Sequence, residues 1–207
     1  MTPMQKWTAT QFGQCLFIDA TFKCNDAKFA LFLPSVLDEN FQVRPICYAL
    51  VESDKAEDAL DFLLGSMVAM CPALPATCVT VFSDKGIPPA AVKRHLPNAS
   101  HLLCCFHIIN INVSSFLFKF CKGYDGKKFT SFLWSEFVHA KSPEAFEQAW
   151  AALTAANNPD RPPKNLIEYF EKEIKGDLPR VADFVRLRNL CFLYTSNSVA
   201  GNGQKDV

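Results

Sequence analysis

The sequence predicts a mixed α/β domain built on a five-stranded sheet and followed by a helical region. Three short β-type runs, joined by turns, fill the first 51 residues. Two further β-type runs alternate with helical patterns up to residue 112, and beyond that point the apolar residues recur at helical spacing. The predicted element order of the core is βββαβαβ, which gives a mixed sheet covered by helices.

The three predicted N-terminal strands cover residues 15–23, 29–37 and 43–51. Their connections are short, which favours an antiparallel meander. Pro34 and Pro45 cannot donate a ladder hydrogen bond, so we expect bulges or edge positions there.

The second half of the core alternates helix and strand. Leucines and methionine between Leu60 and Val68 predict a helix, and residues 78–83 predict a buried strand. Pro88 and Pro89 predict the start of a short helix, and residues 101–109 predict a fifth strand. Such alternation implies right-handed parallel crossovers. In the topology proposed for this element order, the first and fourth strands are neighbours.

The remainder of the chain is predicted to be helical. Ser142 begins one helix, residues 157–163 form a proline-rich loop, and an apolar face from Leu166 to Ile174 predicts a second helix. The predicted organisation is an N-terminal flank (1–14), a core (15–112), a helical insertion (113–194) and a truncated C-terminal segment (195–207).

The composition predicts a chain that folds around a hydrophobic core and lies inside the cell. Of the 207 residues, 49% are hydrophobic, which is enough for a sizeable core and too many for a disordered protein. The nine cysteines are scattered without a Cys-x-x-Cys pair, which favours free thiols in a reducing compartment. The N-terminus lacks a signal-peptide pattern, and no apolar run is long enough to predict a membrane span.

Charge gives no sign of a nucleic-acid surface. The chain has 21 basic and 21 acidic residues, and no basic tail or stripe stands out. The charge balance therefore argues against a protein that binds DNA through this chain alone. A core whose DNA-binding modules lie elsewhere remains compatible with this balance.

Asp19 and Asp84 are the candidate metal-binding acids. Each follows a hydrophobic run, and neighbouring parallel strands would bring both to one edge of the sheet, where α/β proteins gather their sites. Paired carboxylates need raised pKa values or a divalent cation, and oxygen ligands favour Mg²⁺ or Mn²⁺. The alternatives are an ordinary strand-end acid for Asp19 and a turn-forming residue for Asp84.

Cys104 and His107 form a Cys-x-x-His pair. One such pair supplies two zinc ligands, whereas a structural zinc site needs four. Cys–His nucleophilic catalysis is a second alternative, but no orienting acid is evident nearby. On spacing alone, buried thiols beside a hydrogen-bonded histidine are the favoured interpretation.

Three strings together resemble the core of Mutator-like element (MULE) transposases. They are FIDATFK, VFSDKG and LLCCFHIIN, in that order, within residues 17–112. The resemblance implies an RNase H-like fold of the DDE superfamily, with Asp19 and Asp84 as the first two metal-binding acids. It also implies that Cys104 and His107 are the family's Cys-x-x-His pair, and that Mg²⁺ or Mn²⁺ is the cofactor.

The third acid of the family is missing from its expected place. The string TSNSVA resembles the family's turn, and Ala200 stands where the glutamate is expected. Glu144 and Glu147 are other candidates for this role, although a solvated helix face is the favoured interpretation for them. We therefore expect this chain not to transpose DNA by itself.

Two further functions stay open. The chain could be a non-enzymatic, transposon-derived domain that associates with DNA or protein, or a stand-alone RNase H-like nuclease that uses Glu144 or Glu147. The resemblance implies transposon-end DNA as the partner, a nuclear location and a possible homo-oligomer.

Overall fold

The computed structural model describes residues 1–21, 29–51 and 57–186. Within them the chain divides into two compact units, the first ending at Leu102 and the second beginning at Leu103. Each unit has its own hydrophobic core. The described parts contain no helix that is long and apolar enough to cross a membrane.

Each of the three predicted N-terminal strands bends and contributes to two sheets. The six resulting strands are β1 (Cys15–Ile18), β2 (Ala20–Thr21), β3 (Ala30–Phe32), β4 (Ser35–Leu37), β5 (Val43–Pro45) and β6 (Ala49–Val51). The halves before and after each bend join different sheets. In one sheet β4 lies between β1 and β5, whereas β2, β3 and β6 form the other.

The bends lie at Asp19, at Leu33-Pro34 and after Pro45. Backbone hydrogen bonds span them, from Leu33 N to Asp19 O at 3.0 Å and from Ile46 N to Pro34 O at 2.9 Å. Pro34 thus lies between two strands and Pro45 ends an edge strand, as their missing N–H groups predict. The pairings are antiparallel, which confirms the meander.

Two more strands, β7 (Thr80–Ser83) and β8 (Ser100–Leu103), complete the larger sheet in the order β5-β4-β1-β7-β8. Strand β1 pairs with β7 in parallel and with β4 in antiparallel fashion, so the sheet is mixed, as predicted. The neighbouring placement of the first and fourth predicted strands is also confirmed.

Among the described residues, four helices accompany these sheets: α1 (Pro3–Phe12), α2 (Glu57–Met70), α3 (Leu74–Thr77) and α4 (Pro89–His95). The sequence patterns predicted α2 and α4. They did not predict α1, which begins with a capping box between Thr2 and Gln5. Side chains of α2 such as Leu60, Leu64 and Met67 fill the first core together with Leu16 and Ile18 of β1.

The second unit is helical. Its helices are a π-helical segment (His107–Val113), α5 (Ser114–Phe120), α6 (Gly126–Phe132), a second π-helical segment (Leu133–Val138), α7 (Pro143–Thr154), α8 (Lys164–Glu173), a 3₁₀ turn (Lys175–Asp177), α9 (Leu178–Val181) and α10 (Asp183–Arg186). Ser142 caps α7 by accepting from Ala145 N, as the sequence indicated. Rings of Phe129, Phe146, Trp150 and Phe170 interlock in the core.

The predicted fifth strand, residues 101–109, is wrong beyond Leu103. The chain turns into helix at Cys105, and Ile108 N donates to Cys104 O at 3.2 Å. Cys104 and His107 therefore lie at a helix start rather than in a strand. A short apolar run fits a buried strand and a buried helix equally well, so periodicity could not locate this change.

Candidate metal-binding site at the ends of two parallel strands

The candidate site lies where β1 and β7 end. Ile18 and Ser83 are register partners in this parallel pair, and Asp19 and Asp84 are the next residues along each strand. Adjacent strands are about 4.8 Å apart, so the two acids leave the sheet side by side. The structure thus brings together the two acids that the sequence singled out.

An aromatic pair precedes the acids. Phe17 and Phe82 are also register partners, they are fully buried, and their ring centroids lie 5.7 Å apart at an edge-to-face angle of 65°. Residues two apart on a strand share a face. The apolar rings therefore form a dry layer directly behind the half-buried acids Asp19 and Asp84.

Backbone amides hold both carboxylates. Ala20 N donates to Asp19 Oδ1 at 2.9 Å, and Gly86 N donates to Asp84 Oδ1 at 3.0 Å. A Cβ at position 86 would lie 3.2 Å from Asp84 Oδ1, so glycine gives the turn room to approach the carboxylate. These contacts orient each acid from its own chain segment, as the turn-forming interpretation of Asp84 also requires.

Ser83 and His101 support the end of β7. The Ser83 hydroxyl donates to the backbone oxygen of Asp84 at 2.8 Å and lies 2.7 Å from His101 Nε2. Because the hydroxyl proton of Ser83 is donated to Asp84 O, the Ser83 oxygen acts as the acceptor toward His101. His101 therefore carries a hydrogen on Nε2 and donates it to Ser83. Sequence reasoning missed this pair, although a serine before the acid and a histidine in the adjoining strand were visible signals.

The chemistry of the two acids fits a hard divalent cation, but they supply only part of a site. Carboxylate oxygens suit Mg²⁺ or Mn²⁺, which need further ligands from protein, water or substrate. Among the described residues, no group of three or more His, Cys, Asp or Glu side chains is placed to hold a metal. Ala200, the expected position of the third acid, lies outside the described residues.

Cys104 and His107 belong to the second unit. Cys104 is fully buried and His107 is half-buried, three residues apart at the start of a helix, a spacing that puts side chains on one face. Two ligands do not make a structural zinc site, and the described residues contain no larger ligand group. This arrangement supports a packing role for the pair.

The neighbouring Cys105 contacts a buried arginine. Arg186 is 1% exposed, and its Nη2 donates to Leu103 O at 2.5 Å and approaches Cys105 Sγ at 3.1 Å. Its Nε donates to Val181 O. Burial raises the pKa of Cys105 to about 12, and the guanidinium only partly opposes this rise. Cys105 is therefore a protonated thiol near neutral pH and a poor nucleophile.

Glu144 and Glu147 are exposed on α7. The pKa of Glu144 is lowered by hydrogen bonds from its own backbone amide and from Ser142, as expected in the first turn of a helix. Glu147 accepts from Lys175 Nζ at 2.8 Å. Both contacts are those of a solvated helix face.

The comparisons with known proteins identify a family for the core. Residues 15–111 match the family model of the MULE transposase domain. A comparison with curated proteins finds no match. The matched range begins with β1 and contains Asp19, Asp84, Cys104 and His107, and the resemblance inferred from the three sequence strings is confirmed over it.

Proposed function

We propose, from the MULE family match of residues 15–111, that this chain carries the catalytic core of a DDE-type transposase with an RNase H-like fold. The observation that supports the catalytic assignment most directly is the parallel register of Ile18 with Ser83, which leads to Asp19 and Asp84 at one sheet edge. The second unit corresponds to the helical insertion in this proposal.

In the proposed site, Asp19 and Asp84 hold Mg²⁺ or Mn²⁺. The bound metal would supply activation of the attacking oxygen and stabilisation of the leaving oxygen in phosphoryl transfer. The protein's own contribution is to preorganise the two carboxylates through Ala20 N and Gly86 N. The buried Phe17–Phe82 pair excludes water from one side and so strengthens the attraction for a cation.

The proposed substrate is transposon-end DNA, and the proposed location is the nucleus. Because Ala200 stands where the family has its third acid, we propose that the chain lacks strand-cleavage activity. Removal of one group from a catalytic constellation commonly costs several kcal/mol of transition-state stabilisation. Homo-oligomerisation stays a prediction.

A non-enzymatic, transposon-derived DNA-associated or protein-interaction domain is the second candidate. The alanine at position 200 favours it directly, because a domain that only binds needs no third carboxylate. The third possibility, a nuclease that recruits Glu144 or Glu147, has less support because both residues lie on a solvated face and Glu147 pairs with Lys175.

Nicking of supercoiled DNA in Mn²⁺ tests the catalytic proposal. We expect no nicking by the natural chain. Ala200→Glu should tighten Mn²⁺ binding, measured by calorimetry, and Ala200→Glu combined with Asp84→Asn should lose this gain.

Two results would contradict parts of the proposal. Nicking by the natural chain that Asp19→Asn abolishes would show an active enzyme with another third ligand. Unchanged Mn²⁺ affinity in Ala200→Glu would show that position 200 does not face the metal site.

A further inference from the structure

The segment from Phe116 to Lys128 concentrates positive charge and aromatic rings. Its thirteen residues include four lysines, one acid and four aromatic side chains. The balanced charge of the whole chain conceals this cluster. The members are Lys119, Lys122, Lys127 and Lys128, with Phe116, Phe118, Phe120 and Tyr124, and we call it the lysine–aromatic segment.

Two open grooves run along this segment and share Tyr124. The first, of about 650 Å³, is lined by Phe118, Lys119 and Lys122 among others. The second, of about 440 Å³, is lined by Lys127 and Lys128. Because Tyr124 borders both, the four lysines and two of the rings follow one continuous path over the surface.

Two aromatic rings of α5 are highly exposed. Phe118 is 84% exposed, more than any other large apolar side chain among the described residues, and Phe120 is 61% exposed. Beneath them, Phe116 stacks on Tyr169 with a centroid distance of 4.0 Å. Asn165 Nδ2 donates to Phe120 O at 3.0 Å and fixes the end of α5 to α8.

The path has four lysines against two acidic neighbours, Asp125 and Asp160, so its net charge is positive. Asp125 is engaged as the cap of α6, where its Oδ1 accepts from Lys127 N at 3.1 Å. Asp160 pairs with Lys128 at 2.6 Å, but both side chains are more than half exposed. Such pairs contribute roughly 0–1 kcal/mol, so a phosphate can replace the carboxylate.

We propose that the lysine–aromatic segment binds single-stranded DNA. Lysines spaced along a groove match a phosphate backbone, and exposed rings between them match unpaired bases, which stack on aromatic side chains. A second copy of the chain is a poorer occupant, since a symmetric contact would oppose like charges. The choice of DNA over RNA rests on the proposed transposase function, whereas the match to a single strand rests on this surface alone.

Fluorescence anisotropy with a labelled 20-nucleotide strand in EDTA tests the proposal with the full chain. EDTA separates this test from the metal site, so Asp84→Asn should bind the strand like the natural chain. The single strand should bind more tightly than the corresponding duplex. With four lysine contacts, the slope of log K against log salt should be about −3.

Variants assign the binding to the segment. Lys122→Gln with Lys127→Gln should reduce the slope by about 1.4, and Phe118→Ala should weaken binding by about 5- to 150-fold. Lys141→Gln with Lys172→Gln removes two exposed lysines outside the segment and should change neither quantity.

Several outcomes would overturn the proposal. One is equal affinity for the single strand and the duplex together with no effect of Phe118→Ala. A second is unchanged affinity for the strand in Lys122→Gln/Lys127→Gln. A third is displacement of the labelled strand by polyglutamate as effectively as by unlabelled strand. Tighter binding of an RNA strand of the same sequence would overturn the assignment to DNA.

Discussion

Ile18 and Ser83 are register partners in the parallel pair of β1 and β7, and each is followed by an aspartate. The register means that Asp19 and Asp84 emerge from the sheet at the same level. A slip of one residue would turn one acid to the opposite face of the sheet. Two carboxylates far apart in sequence thereby become neighbours through strand pairing alone.

Removal of either acid should weaken Mn²⁺ binding. Asp19→Asn and Asp84→Asn keep the shape of the side chain but remove a charge that lies next to the proposed cation, so we expect affinity to fall at least about tenfold. Isothermal titration calorimetry measures the change. Asp58→Asn, an exposed acid on α2, is the matched control and should bind Mn²⁺ like the natural chain.

If Asp58→Asn lost as much Mn²⁺ affinity as Asp19→Asn and Asp84→Asn, the binding would be due to the general negative charge of the surface. Unchanged affinity in both Asp19→Asn and Asp84→Asn would exclude this sheet edge as the site.

Ser83→Ala should weaken Mn²⁺ binding without touching either carboxylate. The hydroxyl links the Asp84 backbone oxygen to His101, and loss of such outer contacts typically costs 10- to 100-fold in metal affinity. Ser35→Ala is a matched control, because Ser35 is another buried serine of the sheet whose hydroxyl donates to a backbone oxygen, that of Leu33.

Each serine variant should lose about 1 kcal/mol of unfolding free energy, measured by urea denaturation. Only Ser83→Ala should lose Mn²⁺ affinity in calorimetry. Equal Mn²⁺ affinities in the two variants would assign Ser83 a purely structural role.

The sequence predicted the part of the site that depends on strand order. Alternating strands and helices implied parallel crossovers, and the topology proposed for that element order placed β1 beside β7 with the two acids at their ends. The bends at Asp19 and Pro34 were not predicted in detail, because a period of two identifies an extended chain but not the point where it passes to another sheet. The capping box of Thr2 and Gln5 was a visible signal for α1, but it lacked an apolar stripe to support it.

Contacts between side chains of distant elements were beyond sequence reasoning. The link from His101 to Ser83 depends on the pairing of β7 with β8, and the burial of Arg186 depends on the backbone oxygens of Leu103 and Val181. Neither partner choice follows from local pattern. The lysine–aromatic segment was missed for another reason, because its four lysines are interspersed with aromatic residues, glycines and Asp125 and form no long basic run.

Stability should fall as pH rises above about 9. Burial raises the pKa of Cys47 and Cys78 to about 11 and that of Cys105 to about 12, from an ordinary value of 9.0. As pH rises, the thiols of the unfolded chain lose their protons before those of the folded protein. The contribution of these thiols to the unfolding free energy is therefore complete below pH 9 and is lost as pH rises through their pKa values in the folded protein. Each thiol can contribute up to about 1.4 kcal/mol per pH unit in this window.

Urea unfolding at pH 8, 9 and 10 under reducing conditions measures this dependence. Cys78→Ala should be less stable at pH 8 but show a shallower decline toward pH 10. An identical decline in Cys78→Ala would mean that other groups cause the loss.

Trp150 should be the side chain whose truncation most destabilises the helical unit. It is 3% exposed, its ring lies 4.6 Å from that of Phe170, and its Nε1 donates to Glu171 at 3.1 Å. Trp150→Ala leaves a cavity in the core of the unit, so we expect a loss of about 3–5 kcal/mol in urea unfolding. Trp150→Phe should lose less, since it keeps most of the packing.

Phe118→Ala is the matched control for Trp150→Ala. It removes a ring from the same unit, but that ring is 84% exposed, so stability should change by less than about 0.5 kcal/mol. If Phe118→Ala destabilised the unit as much as Trp150→Ala, Phe118 would have to be buried in solution by another molecule or copy. The stability measurement therefore also checks that the ring assigned to DNA binding is accessible.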